Sequence, residues 1–313
     1  SIALGPLESF YGSKVLKTAA LPANALTEPV GSNGFAIAPT RSGSGHALLL
    51  INPHTSFYFR PEIHVVSREG LNAYGAVTWG QFFVYQGFND RCGWMHTSGG
   101  ADVIDEYREP VRRTADGRVF QRYGEGEREL RRSPITLRYR TDAGLKTRTL
   151  DAWFSDHGPI IRAEGDAWIA VKLMQEPVGA LMQSYLRTKA RHYREFREVM
   201  NLRTNSSNNT LYANTSGDIA YFHANFIPRR DPHFDWSRPV DGSNPATEWG
   251  DPLPFAESPN VVNPAAGWVY NANDWPWAAA GADSPRQGSF PPYVDHGVES
   301  PRGRHAVRVL EGR

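Results

Sequence analysis

Apolar residues in this chain come in short runs. The longest, 47–51, has the length of a strand. It falls far short of the roughly 20 apolar residues that a bilayer-crossing helix needs. No membrane span is expected, and hydrophobic surface has to be buried by pairing strands. Residues 35–39 and 47–51 flank a Ser/Gly turn at 41–45 and predict a β-hairpin. Strand-sized segments follow at 63–67, 76–79, 82–85 and 94–97, then at 211–214 and 219–224 around a turn at 215–218. The stretch 114–148 is highly charged and alternating, as solvated surface hairpins are. Apolar residues three and four apart predict helices at 180–190 and 193–202, and 304–310 can begin another. Residues 228–266, rich in proline and aromatics, predict a long ordered loop over a core. The mix predicts mostly antiparallel sheets with helices packed on them, an α+β fold.

Charge excludes several classes of function. With 34 basic against 33 acidic residues, the net charge is +1. That balance offers no bulk attraction to nucleic acid or anionic membrane. The one cysteine, Cys92, excludes an intrachain disulfide and reads most simply as a small buried apolar residue. No basic-then-apolar leader opens the chain. Residues 1–31 read as a spacer or linker, and 32–313 as the core. The abrupt ends suggest a piece of a longer product.

Four short motifs could carry chemistry. In Gly31-Ser32-Asn33-Gly34, a serine hydroxyl needs a base to become a nucleophile. No G-x-S-x-G elbow is present to supply the usual triad geometry. An alternative base is the nucleophile's own α-amino group, which titrates near 8 when a chain end exposes it. Glycine before Ser32 permits the strained backbone that self-cleavage would require. Asn52-Pro53-His54 places an imidazole at a strand end. Gly93-Trp94-Met95-His96-Thr97-Ser98-Gly99-Gly100 could turn backbone N–H groups toward an oxyanion, and Asp102 and Asp105 beyond it offer oxygen ligands. Asn263-Pro264, then Gly267 and Asn271-Ala272-Asn273, could set an amide donor in a dry site. Taken one at a time, each motif is more often a turn or a capped strand.

In this order and spacing the motifs resemble the penicillin acylase (penicillin amidase) family of N-terminal-nucleophile hydrolases. Ser32-Asn33 matches the start of that family's β subunit, although a larger residue often stands at the place of Gly34. The resemblance implies an αββα sandwich and autocleavage between Gly31 and Ser32. It implies Ser32 as nucleophile, His54 as its orienting neighbour, and the Ser98 N–H with the Asn273 side chain as oxyanion donors. Asn271 is given no direct part. An arginine near the site in some members corresponds to Arg302 or Arg304. Some members hold Ca²⁺ just past the backbone donor, which points to Asp102 and Asp105, while the chemistry itself needs no metal.

The substrate implied is a small-molecule amide with a hydrophobic acyl group on an amine-bearing nucleus. Phe57, Trp79 and Phe82 are candidates to line the acyl pocket. The α subunit and the remainder of the β subunit are the implied partners, in the periplasm or outside the cell. Two other readings compete. Ser1 could be a terminal nucleophile, although Ser1-Ile2-Ala3-Leu4 lacks the Ser-Asn start. Alternatively, nine tryptophans and the long aromatic loop would suit a non-catalytic carbohydrate- or protein-binding β domain.

Overall fold

A computed structural model describes residues 31–55, 60–205, 208–223 and 226–312. In chain order its strands are β1 (Gly31–Ile37), β2 (Leu48–His54), β3 (Glu62–Val66), β4 (Asn72–Ala76), β5 (Gln86–Asn89), β6 (Cys92–Ser98), β7 (Asp105–Arg113), β8 (Val119–Tyr123), β9 (Gly126–Glu129), β10 (Arg131–Thr141), β11 (Gly144–Ser155), β12 (Gly158–Glu164), β13 (Ala167–Lys172), β14 (Asn208–Asn214), β15 (Ile219–Phe222), β16 (Val240–Asp241), β17 (Val261–Val262) and β18 (Trp268–Asn271). The α-helices are α1 (Pro177–Leu186), α2 (Tyr193–Met200) and α3 (Pro301–Leu310). The fold is α+β, as the sequence predicts. Contacts divide the chain into two compact units. One comprises the described residues up to Val103, Met174–Pro228 and those from Asp251 onward; the other comprises Ile104–Leu173 and Arg229–Gly250.

The first unit is layered. Along β1 burial alternates, with Ser32, Gly34 and Ala36 buried and Asn33, Phe35 and Ile37 half-buried. Successive side chains of a strand point to opposite faces, so β1 has two inward faces to satisfy. It is the centre of a three-stranded antiparallel sheet ordered β18-β1-β2, with Gly31 opposite His54 and Gly34 opposite Asn271. One face of this sheet packs on a seven-stranded antiparallel sheet, β17-β15-β14-β6-β5-β4-β3, through Ala36, Val269, Met95, Leu211 and Tyr221. A side chain at Gly34 would put its Cβ 2.7 Å from Leu211 and 3.0 Å from Met95. Those two residues fill the space that the family's larger residue would need.

On the other face of the small sheet, α3 packs against Phe35, Ile37, Trp268 and Tyr270. The outer face of the large sheet receives α2 through Phe196 and Met200, which meet Trp94, Tyr212 and Phe222. Burying side chains of that size contributes about 1.5–3 kcal/mol each, and Phe196→Ala would cost about 3–5 kcal/mol. Helix α2 starts where His192 Nδ1 accepts the Glu195 N–H at 3.3 Å while the Glu195 carboxylate accepts the Arg191 N–H at 2.8 Å. The first bond satisfies a donor at the helix end, and the second ties down the residue before the N-cap. Helix, sheet, sheet, helix is the layering that the resemblance implies.

The expected 35–39/47–51 hairpin is β1–β2, and its link contains a 3₁₀ turn at Pro39–Arg41. The segments 76–79 and 82–85 are not strands: β4 ends at Ala76 and β5 begins at Gln86. Val77, Phe83, Val84 and Tyr85 are buried, so their apolar character reflects core filling by an irregular link and not a pleated edge. Cys92 is buried against Tyr212, and burial pushes its thiol up to about 11.

The second unit carries a sheet with the path β10-β11-β12-β13-β7-β8-β9 and β16 parallel to β7. Its core is Tyr107, Ala170, Trp236 and Val240. β10 and β11 pair along their length and are mostly exposed, which is the solvated hairpin expected of their charge.

Candidate active site

The Gly31–Ser32 peptide bond sits at the open end of β1 among side chains from three other elements. Gly31 has φ +137°, a conformation that L side chains rarely adopt. A Cβ there would also come within 2.9 Å of Arg302 Nη2, 3.1 Å of Asn273 Oδ1 and 3.4 Å of His54 Nδ1. Glycine is therefore required twice, by conformation and by crowding. Ser32 is 7% exposed. Its hydroxyl donates to the carbonyl oxygen of Gly31 at 2.7 Å, beside the carbon it would attack.

Asn273 closes the site from the end of β18. Its Oδ1 accepts the Ser32 N–H and, at 3.1 Å, Arg302 Nη2; its Nδ2 donates to the Ser98 carbonyl at 2.9 Å. This amide therefore joins both residues expected to act around the oxyanion. Its backbone is left-handed, φ +60°, a region Asn tolerates better than most residues. Asn271 holds that conformation. Its buried Oδ1 accepts the Asn273 N–H at 2.9 Å and the Thr97 hydroxyl at 2.7 Å, while its Nδ2 donates to the Asp274 carbonyl at 3.0 Å. Thr97 precedes Ser98 on β6, so this one amide ties β6 to the end of β18.

His54 does not bond Ser32. Its Nε2 lies 3.3 Å from Asn33 Nδ2 and 3.1 Å from Asn52 Oδ1, and Asn33 Nδ2 donates to Asn52 Oδ1 at 3.0 Å. The imidazole thus braces the turn-out of β1 from its far face. Sequence reasoning left Arg302 and Arg304 undivided; Arg302 is the one at the site. Its Nη1 donates to the Ser32 carbonyl at 3.1 Å and to Asn33 Oδ1 at 2.5 Å. Ser300 caps α3, accepting the Gly303 N–H at 2.9 Å, and Pro301 follows it. Arg302 therefore stands in the first turn, where the helix dipole disfavours a cation. A Ser-Pro-Arg start with its charge at the wrong end was the available signal. Gly303 lets the helix come this close, because a Cβ there would fall 1.7 Å from Asp274 Oδ2.

The other expected residues lie elsewhere. Trp79 and Phe82 are 67% and 63% exposed in the link between β4 and β5, with Phe82 against Phe83 and Tyr185. Phe57 lies outside the described residues. In the first unit, Asp102 pairs with His296 at 3.0 Å. In the second, Asp105 is buried and takes Arg230 Nε at 2.6 Å, a cation that already neutralises it. Among the described residues no three His, Cys, Asp or Glu side chains gather as a metal site. The Ca²⁺ expectation rests on the resemblance alone.

The family model for penicillin amidase matches residues 7–313. The chain belongs to the penicillin amidase family. It is 25% identical over 260 residues to a penicillin G acylase of Escherichia coli, covering 79% of this chain and 29% of that protein. It is 26% identical to the acyl-homoserine lactone acylase PvdQ of Pseudomonas putida, covering 90% of this chain and 40% of that protein. A thermostable penicillin G acylase structure from Alcaligenes faecalis superposes with a TM-score of 0.74 at 22% identity, over 90% of this chain and 49% of that one. The last match shows a shared fold. The chain spans less than half the length of each of these relatives.

Proposed function

We propose that this chain carries the nucleophile-bearing part of an acylase that cleaves a linear amide into a carboxylic acid and an amine-bearing nucleus. The observation that carries the reading is the Ser32 hydroxyl bonded to the Gly31 carbonyl inside the cage of Asn273, Arg302 and His54. Family membership favours this reading over a non-catalytic binding domain.

Two stages follow from the chemistry. In maturation, Ser32 Oγ attacks the Gly31 carbonyl carbon and displaces its own amide nitrogen, which takes up the hydroxyl proton. Water then hydrolyses the ester, leaving a Gly31 carboxylate and a free Ser32 α-amine. In turnover that amine, through a water, takes the proton from Oγ as Oγ adds to the substrate carbonyl. Collapse expels the product amine, and water releases the acyl group. The oxyanion is received by the Ser98 N–H and by Asn273 once its Nδ2 leaves the Ser98 carbonyl; one such donor is worth about 3–4 kcal/mol. Arg302 beside Ser32 disfavours a second positive charge and so keeps the amine basic form populated near neutral pH.

By the same resemblance, the working enzyme pairs this segment with an α chain and the remainder of the β chain, in the periplasm or outside the cell. The test is maturation. In the full precursor, mass spectrometry should find a new chain beginning Ser32-Asn33-Gly34, and Ser32→Ala should stay uncleaved. Normal cleavage of that variant would refute the assignment.

A further inference from the structure

The peptide that carries the expected oxyanion N–H is gripped on both sides. Before Ser98, the Thr97 hydroxyl is tied to Asn271. After it, three consecutive residues rest on two separate parts of the first unit. A Cβ on Gly99 would lie 2.8 Å from Asn209 Nδ2 and 3.0 Å from Asn209 Oδ1, so the Asn209 amide is seated directly against the loop. A Cβ on Gly100 would lie 2.6 Å from Gly297 Cα, and the Gly100 carbonyl accepts the His296 N–H at 2.8 Å. Ala101 forms an antiparallel bridge with Asp295. Asp295 Oδ1 in turn accepts the Gly297 N–H at 2.6 Å, which fixes the turn at 295–297.

One buried side chain joins the two supports. His223 follows β15 and is 0% exposed. Its Nδ1 lies 2.9 Å from Asn209 Oδ1 and 3.2 Å from the Tyr221 hydroxyl. Its Nε2 lies 3.3 Å from Asp295 Oδ2 and 3.4 Å from the Val294 carbonyl oxygen. The backbone N–H of His223 donates to Asn260 Oδ1 at 3.0 Å, which anchors the residue that carries the ring. Asn209 and Asp295 therefore meet the two ring nitrogens of one imidazole. The Nδ2 of Asn209 makes no hydrogen bond, so the ring is the polar anchor of that amide. In a close-packed interior, a support that loses its anchor shifts what rests on it.

We propose that His223 is a positioning residue for the acylase, aiming the Ser98 N–H by locking Asn209 under Gly99 and Asp295 beside Gly100 and Ala101. The inference rests on the acylase reading, because it takes the Ser98 N–H as an oxyanion donor. His223 makes no hydrogen bond to Ser32, Ser98 or Asn273, so its effect on turnover passes through the loop. Preorganised donors work because they are already fixed where charge develops.

The experiment uses the processed enzyme, with its Ser32 chain start checked by mass spectrometry. The probes are hexanoyl p-nitroanilide as substrate, hexanoate as product, and pentylboronic acid. Ser32 Oγ adds to the boron of the last as its proton passes to the α-amine, giving a tetrahedral mimic of the intermediate. His223→Leu should lower kcat by about 10- to 100-fold and leave KM unchanged, as loss of an interaction made only in the transition state does. It should weaken pentylboronic acid by a similar factor and leave hexanoate affinity unchanged, because only the adduct loads the oxyanion donors. A general loosening of the site would weaken both ligands. His223→Gln, whose amide can reach one of the two supports, should recover part of the lost kcat. If His223→Leu does not fold, Asn209→Ala, which leaves the imidazole and Asp295 in place, is read in the same way. Wild-type kcat in a folded variant, or equal losses for pentylboronic acid and hexanoate, would overturn the inference and leave the acylase reading standing. A wild-type enzyme with an authentic Ser32 start that neither cleaves the anilide nor binds the boronic acid would overturn the acylase reading and this inference with it.

Discussion

Asn271 makes no contact with Ser32, yet its replacement should damage both stability and the site. Consider Asn271→Leu, which keeps the volume and removes the amide. Three hydrogen bonds go at once: to the Thr97 hydroxyl at 2.7 Å, the Asn273 N–H at 2.9 Å and the Asp274 carbonyl at 3.0 Å. Asn271 and Thr97 are 0% and Asp274 is 1% exposed, so water cannot replace what is lost. Each buried group left unpaired costs about 1–3 kcal/mol. Allowing for rearrangement, the total should lie near 3–6 kcal/mol. Thr97→Val, which deletes one of the three bonds, should cost about 1 kcal/mol. Released from Asn271, Asn273 no longer has a reason to hold φ +60°, and turnover should fall about as far as in Asn273→Ala, roughly 10²–10³-fold. Urea unfolding gives the first quantity, and kcat of the processed enzyme gives the second. Asn273→Ala supplies the contrast, because its side chain is only half-buried and its loss should cost activity far more than stability. If Asn271→Leu unfolds within 1 kcal/mol of the wild type, or keeps full kcat, the positioning argument is wrong.

Other outcomes follow from the same geometry. Gly31→Ala should block cleavage of the precursor, because its Cβ meets Arg302, Asn273 and His54; an intact cleavage rate on gel analysis would contradict the crowding. Arg302→Met should shift the acid limb of kcat/KM upward, since the Ser32 amine loses a cation that favours its neutral form; a pH profile that does not move would remove Arg302 from that role. In the second unit, burial alone would depress His157, but hydrogen bonds to Glu109 and Glu248 at 2.6 and 3.2 Å raise it. Its folded value lies above the unfolded one, so its stabilisation is complete below about pH 6.5 and is lost as pH rises through the folded value. Melting temperature should therefore fall over that range, and His157→Gln should flatten this part of the curve.

The Ser-Asn start, the Asn-Pro-His strand end and the paired asparagines were legible because each is a short local string that marks the end of a strand. Their convergence was not. β18 pairs with β1 across more than two hundred residues, and β6 reaches them by the packing of one sheet on the other, neither of which a local pattern reports. The choice between Arg302 and Arg304 needed the helix start at Ser300, and reading 304–310 as the helix placed both arginines ambiguously. Asn271 was passed over because its role is to hold another residue. The segments around Val77 and Val84 were misread as strands because apolar content alone cannot tell a pleated edge from an irregular core link. Trp79 and Phe82, chosen for their aromatic character, are exposed in the link between β4 and β5.

Cys92 has a practical consequence. It is the chain's sole thiol, packed between the large sheet and α2 beside Tyr212 and closed to solvent. Burial holds it in the unreactive protonated form at neutral pH. An alkylating reagent can therefore reach it only when helix and sheet part, and the labelling rate counts those openings. The protein thus contains a native clock for the breathing of the layer that backs β6, the strand from which the site takes Ser98.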